Sequence, residues 1–245
     1  NNIEMPFFNY YLKGKGDDPK LSEATIFFTG ENKWRKFDQW PPIVSQPSPV
    51  YFSANGSLSW NMPSTSTGKE DGPGMRFSEY ISDPSHPVPY TEDVHFRRTR
   101  EYMTDDQRFA SHRPDVLTFE TDILENDLTL AGVVTANLKV NISTTDADFV
   151  VKLIDVFPDD FKYRGSSTLE RPGEPSYPMG GYEMLVRGEI MRGKFRNSFS
   201  SPVPFKPGKT ETVKFDLPDV AHTFKKGHRL MIQVQSSWFP LADRN

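Results

Sequence analysis

The 245-residue sequence contains no cysteine. That excludes a disulfide framework, a thiolate nucleophile and a thiolate zinc site, and it leaves the redox compartment unread. Positive charge is not in excess either: 29 Lys and Arg against 33 Asp and Glu give a net charge of −4. The chain therefore lacks the basic footprint of a nucleic-acid binder and the polybasic patch of a membrane-surface protein. No run of 18 apolar residues occurs, so no helical membrane span is predicted. The opening Asn1-Asn2-Ile3-Glu4 has neither the charged nor the apolar region of a signal peptide. No motif repeats at the period of a solenoid or propeller.

Catalytic signatures are equally scarce. A serine nucleophile on a sharp strand-to-helix turn needs small residues on either side, written G-x-S-x-G, and the chain has none. Its nearest approach, Gly165-Ser166-Ser167-Thr168-Leu169, lacks the second glycine and lies among loop residues. None of the imidazoles His86, His95, His112, His222 and His228 has the i, i+4 spacing of a helical zinc pair, so each is expected on the surface or between strands. Asp146, Asp148 and Asp155 have the chemistry of a calcium site, but Asp146 and Asp148 fall where a turn between strands uses Asp to bond its own backbone. No catalytic residue, no metal and no cofactor is assigned to this chain.

What the chain does have is strand. Val116-Leu117-Thr118-Phe119, Val133 to Ile142, Phe149 to Phe157, Tyr182 to Phe195, Glu211 to Leu217 and Arg229 to Gln235 alternate or run apolar, rich in β-branched and aromatic residues and bounded by Pro, Gly and Asp. At this length that pattern predicts a two-sheet β-sandwich with a full core. Earlier strands are expected at Ala24 to Gly30 and Val50 to Phe52, separated by an aromatic and proline-rich stretch from Trp34 to Pro49. Asn55 to Gly74 and Asp159 to Gly180 carry too many breakers for strands and are expected as loops. Ahead of all this, Ile3, Met5, Phe7, Phe8, Tyr11 and Leu12 make an apolar face at helical spacing, stopped by Gly14 and Gly16. A helix so short and apolar is marginal alone and is expected to dock on a larger body. Trp238 and Phe239 are likewise expected as an exposed pair awaiting a covering surface. The aromatic content, four Trp, nine Tyr and nineteen Phe, suits either core packing or a sugar-binding face.

Several segments in fixed order carry a resemblance. Asp106-Gln107-Arg108-Phe109, Arg113-Pro114-Asp115-Val116-Leu117-Thr118-Phe119, Leu128-Thr129-Leu130-Ala131-Gly132 and Asp148-Phe149-Val150-Val151-Lys152-Leu153-Ile154-Asp155-Val156-Phe157-Pro158 resemble the C-terminal jelly-roll of the X-Pro dipeptidyl-peptidase and cocaine esterase family. Met179-Gly180-Gly181-Tyr182-Glu183, Phe195 to Ser200 and Ser236 to Asn245 are most similar to the α-amino acid ester hydrolases. Phe27 to Trp34 and Trp40-Pro41-Pro42 resemble the stretch that leaves the catalytic domain in those enzymes.

The resemblance implies an all-β fold: residues 46–245 as a jelly-roll β-sandwich, with residues 1–45 as the tail end and connector of an α/β-hydrolase domain, including a short helical remnant. In that family a Ser-Asp-His triad on the α/β-hydrolase domain attacks an ester or amide acyl carbon, and the triad precedes the jelly-roll. The implied role is a noncatalytic portion of a serine hydrolase, buttressing and partly walling an active site it does not contain. Its implied partners are its own catalytic domain and, through it, a small acyl substrate, in a periplasmic or secreted setting. Homo-oligomerisation and the choice among ester, acylamide and X-Pro peptide stay open, and the alternative is an independent carbohydrate- or ligand-binding sandwich. In relatives the loop matching Tyr90 to Met103 lies near the acyl pocket. Tyr90, Phe96, Tyr102 and Met103 are therefore the candidate substrate-lining residues, carried on an arm stiffened by Pro84, Pro87 and Pro89.

Overall fold

A computed structural model describes residues 2–62, 77–95, 97, 99–161 and 179–245. Strict alternation builds the first sheet of the sandwich. In β9 (Glu211–Phe224), Val213, Phe215 and Leu217 are buried while Thr212, Lys214 and Asp216 face water. β9 pairs antiparallel with β6 (Leu128–Val140), from Leu128 opposite Phe224 to Val140 opposite Glu211, with a bulge between Gly132 and Val134.

The second sheet has four antiparallel strands in the order β5 (Leu117–Glu120), β10 (Arg229–Gln235), β7 (Asp148–Val156), β8 (Glu183–Arg192). In β7 every residue from Asp148 to Asp155 is buried, because both of its faces are covered. Phe149, Val151 and Leu153 point into the space between the sheets. There they meet Leu138, Val213, Phe215 and Leu217 in one cluster, and Val220, Phe224 and Leu230 in the next. Val150 and Lys152 point the other way, beneath the segment that precedes β5.

That covering segment holds a four-residue helix, α2 (Arg108–Ser111), whose Ala110 packs with Val88 and Val116. It is stitched to the chain that leaves β10. The Val88 amide donates to Ser237 Oγ at 2.8 Å, the Phe239 amide to the Val88 carbonyl at 2.9 Å, and the Tyr90 amide to the Phe239 carbonyl at 2.9 Å. The proline-stiffened arm therefore lies along the sandwich rather than leading away from it. Trp238 is buried as well, at 6% exposure, and only Phe239 of the expected exposed pair reaches solvent. The ring has found its covering surface within the chain: it lies on the outer face of the second sheet.

After α2, Arg113 donates from Nε and Nη2 to the two oxygens of Asp115, each at 2.8 Å, and from Nη2 to the His86 carbonyl at 3.1 Å. This fork fixes the turn that launches β5, which gives Arg113-Pro114-Asp115 its structural role. Asp115→Ala should lower stability by about 1–2 kcal/mol, the worth of a partly buried charge-assisted pair. Chemical denaturation measures this, and an unchanged midpoint would mean the fork contributes nothing.

The N-terminal residues are helical as the spacing predicts: α1 (Glu4–Phe7) runs into a π turn at Phe8–Leu12, and Gly14 and Gly16 follow with positive φ. β1 (Ala24–Phe28) pairs antiparallel with β2 (Lys33–Phe37), a strand that overlaps the aromatic and proline-rich stretch between the expected strands. Three of its five residues are charged, which hides a strand whose support is a neighbour rather than a buried face. A second small hairpin joins β3 (Tyr51–Phe52), where a strand was expected, to β4 (Leu58–Ser59), which lies within the expected loop; Leu58 is buried and Phe52 stacks on Phe119 at 4.3 Å. The rest of that loop from residue 63, and residues 162–178 of the second, lie outside the described residues. β6 and β9 are longer than their apolar cores suggest, and β9 runs through Pro218. A proline is tolerated there because, among the described residues, Pro218 falls at the bulge between Leu217 and Val220, and the rung that Thr29 adds to the other edge of β9 lies further on, at His222. β8 stops at Arg192 instead of Phe195, giving way to a 3-10 turn at Gly193–Phe195. Gly193 abuts the Ala147 carbonyl and the Phe205 ring so closely that an added Cβ would lie within 2.6 Å of both.

Candidate functional site

Across the outer face of the second sheet runs one polar row: Thr118 of β5, Gln233 of β10, Lys152 of β7 and Gly188 of β8 stand in register. Lys152 is fully buried. Its Nζ donates to Gln107 Oε1 at 3.0 Å and lies 5.3 Å from the centre of the Trp238 ring and 5.8 Å from that of Phe109. Gly188 leaves the space that the Trp238 ring occupies, since a Cβ there would meet Cη2 at 2.8 Å. Glu183 closes the layer, accepting from Ser111 Oγ at 2.9 Å and Gln233 Nε2 at 3.3 Å. Burial pushes the Lys152 amine down to about 7, opposed by the Glu183 carboxylate. Burial pushes Glu183 up to about 7 against the Ser111 hydrogen bond, with Asp106 and Glu120 adding to the rise. None of these residues was singled out for a role from sequence. The available signal was a lysine in the middle of an otherwise apolar run, Phe149 to Ile154.

Beside this layer an open groove of about 550 Å³ runs along β8 from Leu185 to Ile190, walled by Tyr102, Met103, Pro218 and Trp238. Two of the four candidate lining residues therefore stand on an open surface. Tyr102 is half-buried, edge-on to Trp238 with centroids 6.1 Å apart, and Met103 is 48% exposed. Tyr90 lies behind them at 4% exposure, packed with Val150 and Trp238, and its hydroxyl accepts from the Thr99 amide at 3.2 Å. Phe96 lies outside the described residues.

Asp146, Asp148 and Asp155 are not brought together, because Asp148 opens β7 and Asp155 stands near its far end. Asp146 sits in the expected turn, accepting from the Ala147 amide at 3.1 Å and the Lys194 amide at 3.0 Å. His86 is a surface residue bonded to Asp83 at 2.9 Å, whereas His222 and His228 are buried against Asp155.

The fold and these surfaces define an all-β jelly-roll sandwich with one closed polar layer and one open groove. The chain belongs to the family of X-Pro dipeptidyl-peptidase C-terminal non-catalytic domains, whose model matches residues 13–245. It is 28% identical over 244 residues to the cocaine esterase of Rhodococcus sp. (strain MB1 Bresler), covering 99% of this chain and 39% of that protein. Among solved structures it is similar to an α-amino acid ester hydrolase, with 38% identity and a TM-score of 0.86 over 100% of this chain and 38% of the other. It is similar also to an aminopeptidase from the marine sediment archaeon Thaumarchaeota archaeon, with 37% identity and a TM-score of 0.84 over 100% and 38% of the two chains. The chain thus spans about two fifths of the length of these relatives.

Proposed function

We propose that this chain is the noncatalytic sandwich of a serine hydrolase acting on esters or amides in the manner of the α-amino acid ester hydrolases, buttressing and partly walling its active site. The observation that carries this reading is the apolar surface of residues 2–45, which we take as the end of a catalytic domain and its connector. Phe7, Phe8, Tyr11 and Leu12 on the N-terminal helix are 42–72% exposed, and on the β1–β2 hairpin Phe27 and Trp34 pair at 5.3 Å with Trp34 67% exposed. Side chains of that size on one short stretch suit burial against an α/β-hydrolase body. Covering two fifths of each relative's length leaves room for such a body. The sugar-binding alternative draws less support. Trp238 is buried and Trp40 packs on Phe28 and Phe37, which leaves Trp34 and Trp60 on separate hairpins.

In this reading Tyr102 and Met103 present the groove to the acyl substrate, Tyr90 supports them from behind, and Phe96 belongs to the same loop. The 245-residue chain alone is expected to leave p-nitrophenyl acetate unhydrolysed and to take no label from a serine-reactive probe; turnover with stoichiometric labelling would reject the noncatalytic assignment. In the enzyme that contains the chain, Tyr102→Ala and Phe96→Ala should each change kcat/KM several-fold between small and bulky acyl esters with little change in melting temperature. Wild-type kinetics in both variants across that series would remove the loop from the site.

A further inference from the structure

Asp155 is 1% exposed, and each of its oxygens holds a histidine: Oδ1 lies 2.8 Å from His228 Nδ1 and Oδ2 lies 3.2 Å from His222 Nε2. His222 has no exposed surface, and its other nitrogen, Nδ1, lies 2.8 Å from the hydroxyl of Thr29, a residue exposed to solvent. A carboxylate only accepts, so in the neutral imidazole the proton sits on Nε2 and Nδ1 can accept from the Thr29 hydroxyl. The order hydroxyl, imidazole, buried carboxylate is that of a nucleophilic relay, in which a base within hydrogen-bond reach of a hydroxyl is itself oriented by a third group. Two features oppose that use. Thr29 Oγ1 has a second acceptor, the Ala221 carbonyl at 3.3 Å, and the Thr29 backbone is tied on both sides: its amide donates to the Ala221 carbonyl at 3.1 Å and its carbonyl accepts from the Thr223 amide at 2.9 Å. Thr29 is thereby an added rung on β9, one residue beyond the end of β1.

We propose that Thr29, His222 and Asp155 form a clasp that fastens the β1–β2 hairpin to the sandwich, with the buried carboxylate as its fixed end. One side chain of β7 then organises three other elements: β9 through His222, the β9–β10 turn through His228, and the N-terminal hairpin through Thr29. His228 is wedged in place by Phe157 and Phe161, whose ring centres lie 4.6 and 5.9 Å away. The fit at the hairpin end is tight enough to demand glycine next to Thr29. Gly30 has φ +78°, and a Cβ there would stand 2.0 Å from the Thr223 carbonyl oxygen and 3.1 Å from His222 Cε1. The clasp holds the hairpin independently of whatever that hairpin packs against.

Amide hydrogen exchange on the 245-residue chain, read by mass spectrometry, tests this. Thr29→Val keeps the size of the side chain and removes its proton donor, and it should speed exchange across Ala24–Phe37 by about tenfold, with Thr29→Ser restoring protection. Peptides from β6, β7 and β10 should stay as in wild type, and His222→Gln should act in the same direction as Thr29→Val. If His222→Gln fails to fold, Thr29→Val decides alone, since it alters an exposed position. Wild-type protection of Ala24–Phe37 in Thr29→Val would overturn the clasp. So would acetylation of Thr29 by p-nitrophenyl acetate that disappears in His222→Gln, because the trio would then be a relay.

Discussion

Lys152→Met is expected to stabilise the chain at neutral pH and to remove the alkaline limb of its stability profile. In the native state the amine titrates near 7, well below the usual lysine value of 10.5. The unfolded chain thus binds the extra proton between those two pH values, and the contribution of Lys152 rises with pH across that window. It is greatest above pH 10.5 and is lost as pH falls through 7. Its full span is on the order of 5 kcal/mol. Glu183 has the opposite sign. Its native value, raised from 4.5 to about 7, makes the folded chain the tighter proton binder in between, so its contribution is complete below 4.5 and lost as pH rises through 7. Together the two groups place a minimum of their joint contribution near pH 7. Methionine fills the space of the lysine stem without the charge and leaves Gln107 Oε1 without its donor. The expected net gain at pH 7 is therefore about 1–3 kcal/mol. Denaturation of wild type, Lys152→Met and Glu183→Gln at several pH values separates the limbs. The gap between wild type and Lys152→Met should shrink from pH 7 to pH 10, and a gap independent of pH would show that the amine is solvated.

Trp238→Ala carries the largest expected loss. The ring is buried against Val150, Tyr90 and Tyr102 and fills the space over Gly188. Truncation leaves a cavity above a fully buried lysine and should cost about 3–5 kcal/mol, lowering the melting temperature by about 8–15 °C. A paired variant reads the fit from the other side: Gly188→Ala should also destabilise, because its Cβ meets the same ring at 2.8 Å. An unchanged melting temperature in Trp238→Ala would place the ring outside the packed layer. An equal loss in both variants taken singly, with no further loss when they are combined, would tie the effect to their contact.

The strands that build the sandwich were legible because each buries one face by simple alternation, as Val213, Phe215 and Leu217 do, or both faces by an apolar run, as β7 does. Only their ends were misread. β9 continues past Pro218 because its partner strand carries it, and alternation within a single segment says nothing about a partner 94 positions away such as Thr129 for Thr223. β2 and β4 escaped for the same reason: five and two residues long, they exist through their neighbours rather than through a hydrophobic face of their own. The polar layer was hidden because an isolated Lys, Gln or Glu reads as solvent-facing until the fold stacks three elements over it. The groove shows the converse. Tyr102 and Met103 line it, yet Tyr90, chosen with them from the same loop, is held inside.

The slot taken by β10 bears on how the chain reaches this state. β10 lies between β5 and β7, so the last strand among the described residues fills an interior position of the second sheet. During synthesis from the N-terminus, β5 and β7 must wait with one backbone edge apiece unsatisfied until residues 229–235 have emerged, and the cover over Lys152 cannot seat before Ser237 and Phe239 follow to receive Val88. Nascent chains shorter than this expose two strand edges and a row of polar groups at once. They are the species for which chaperone capture, and aggregation in its absence, is expected.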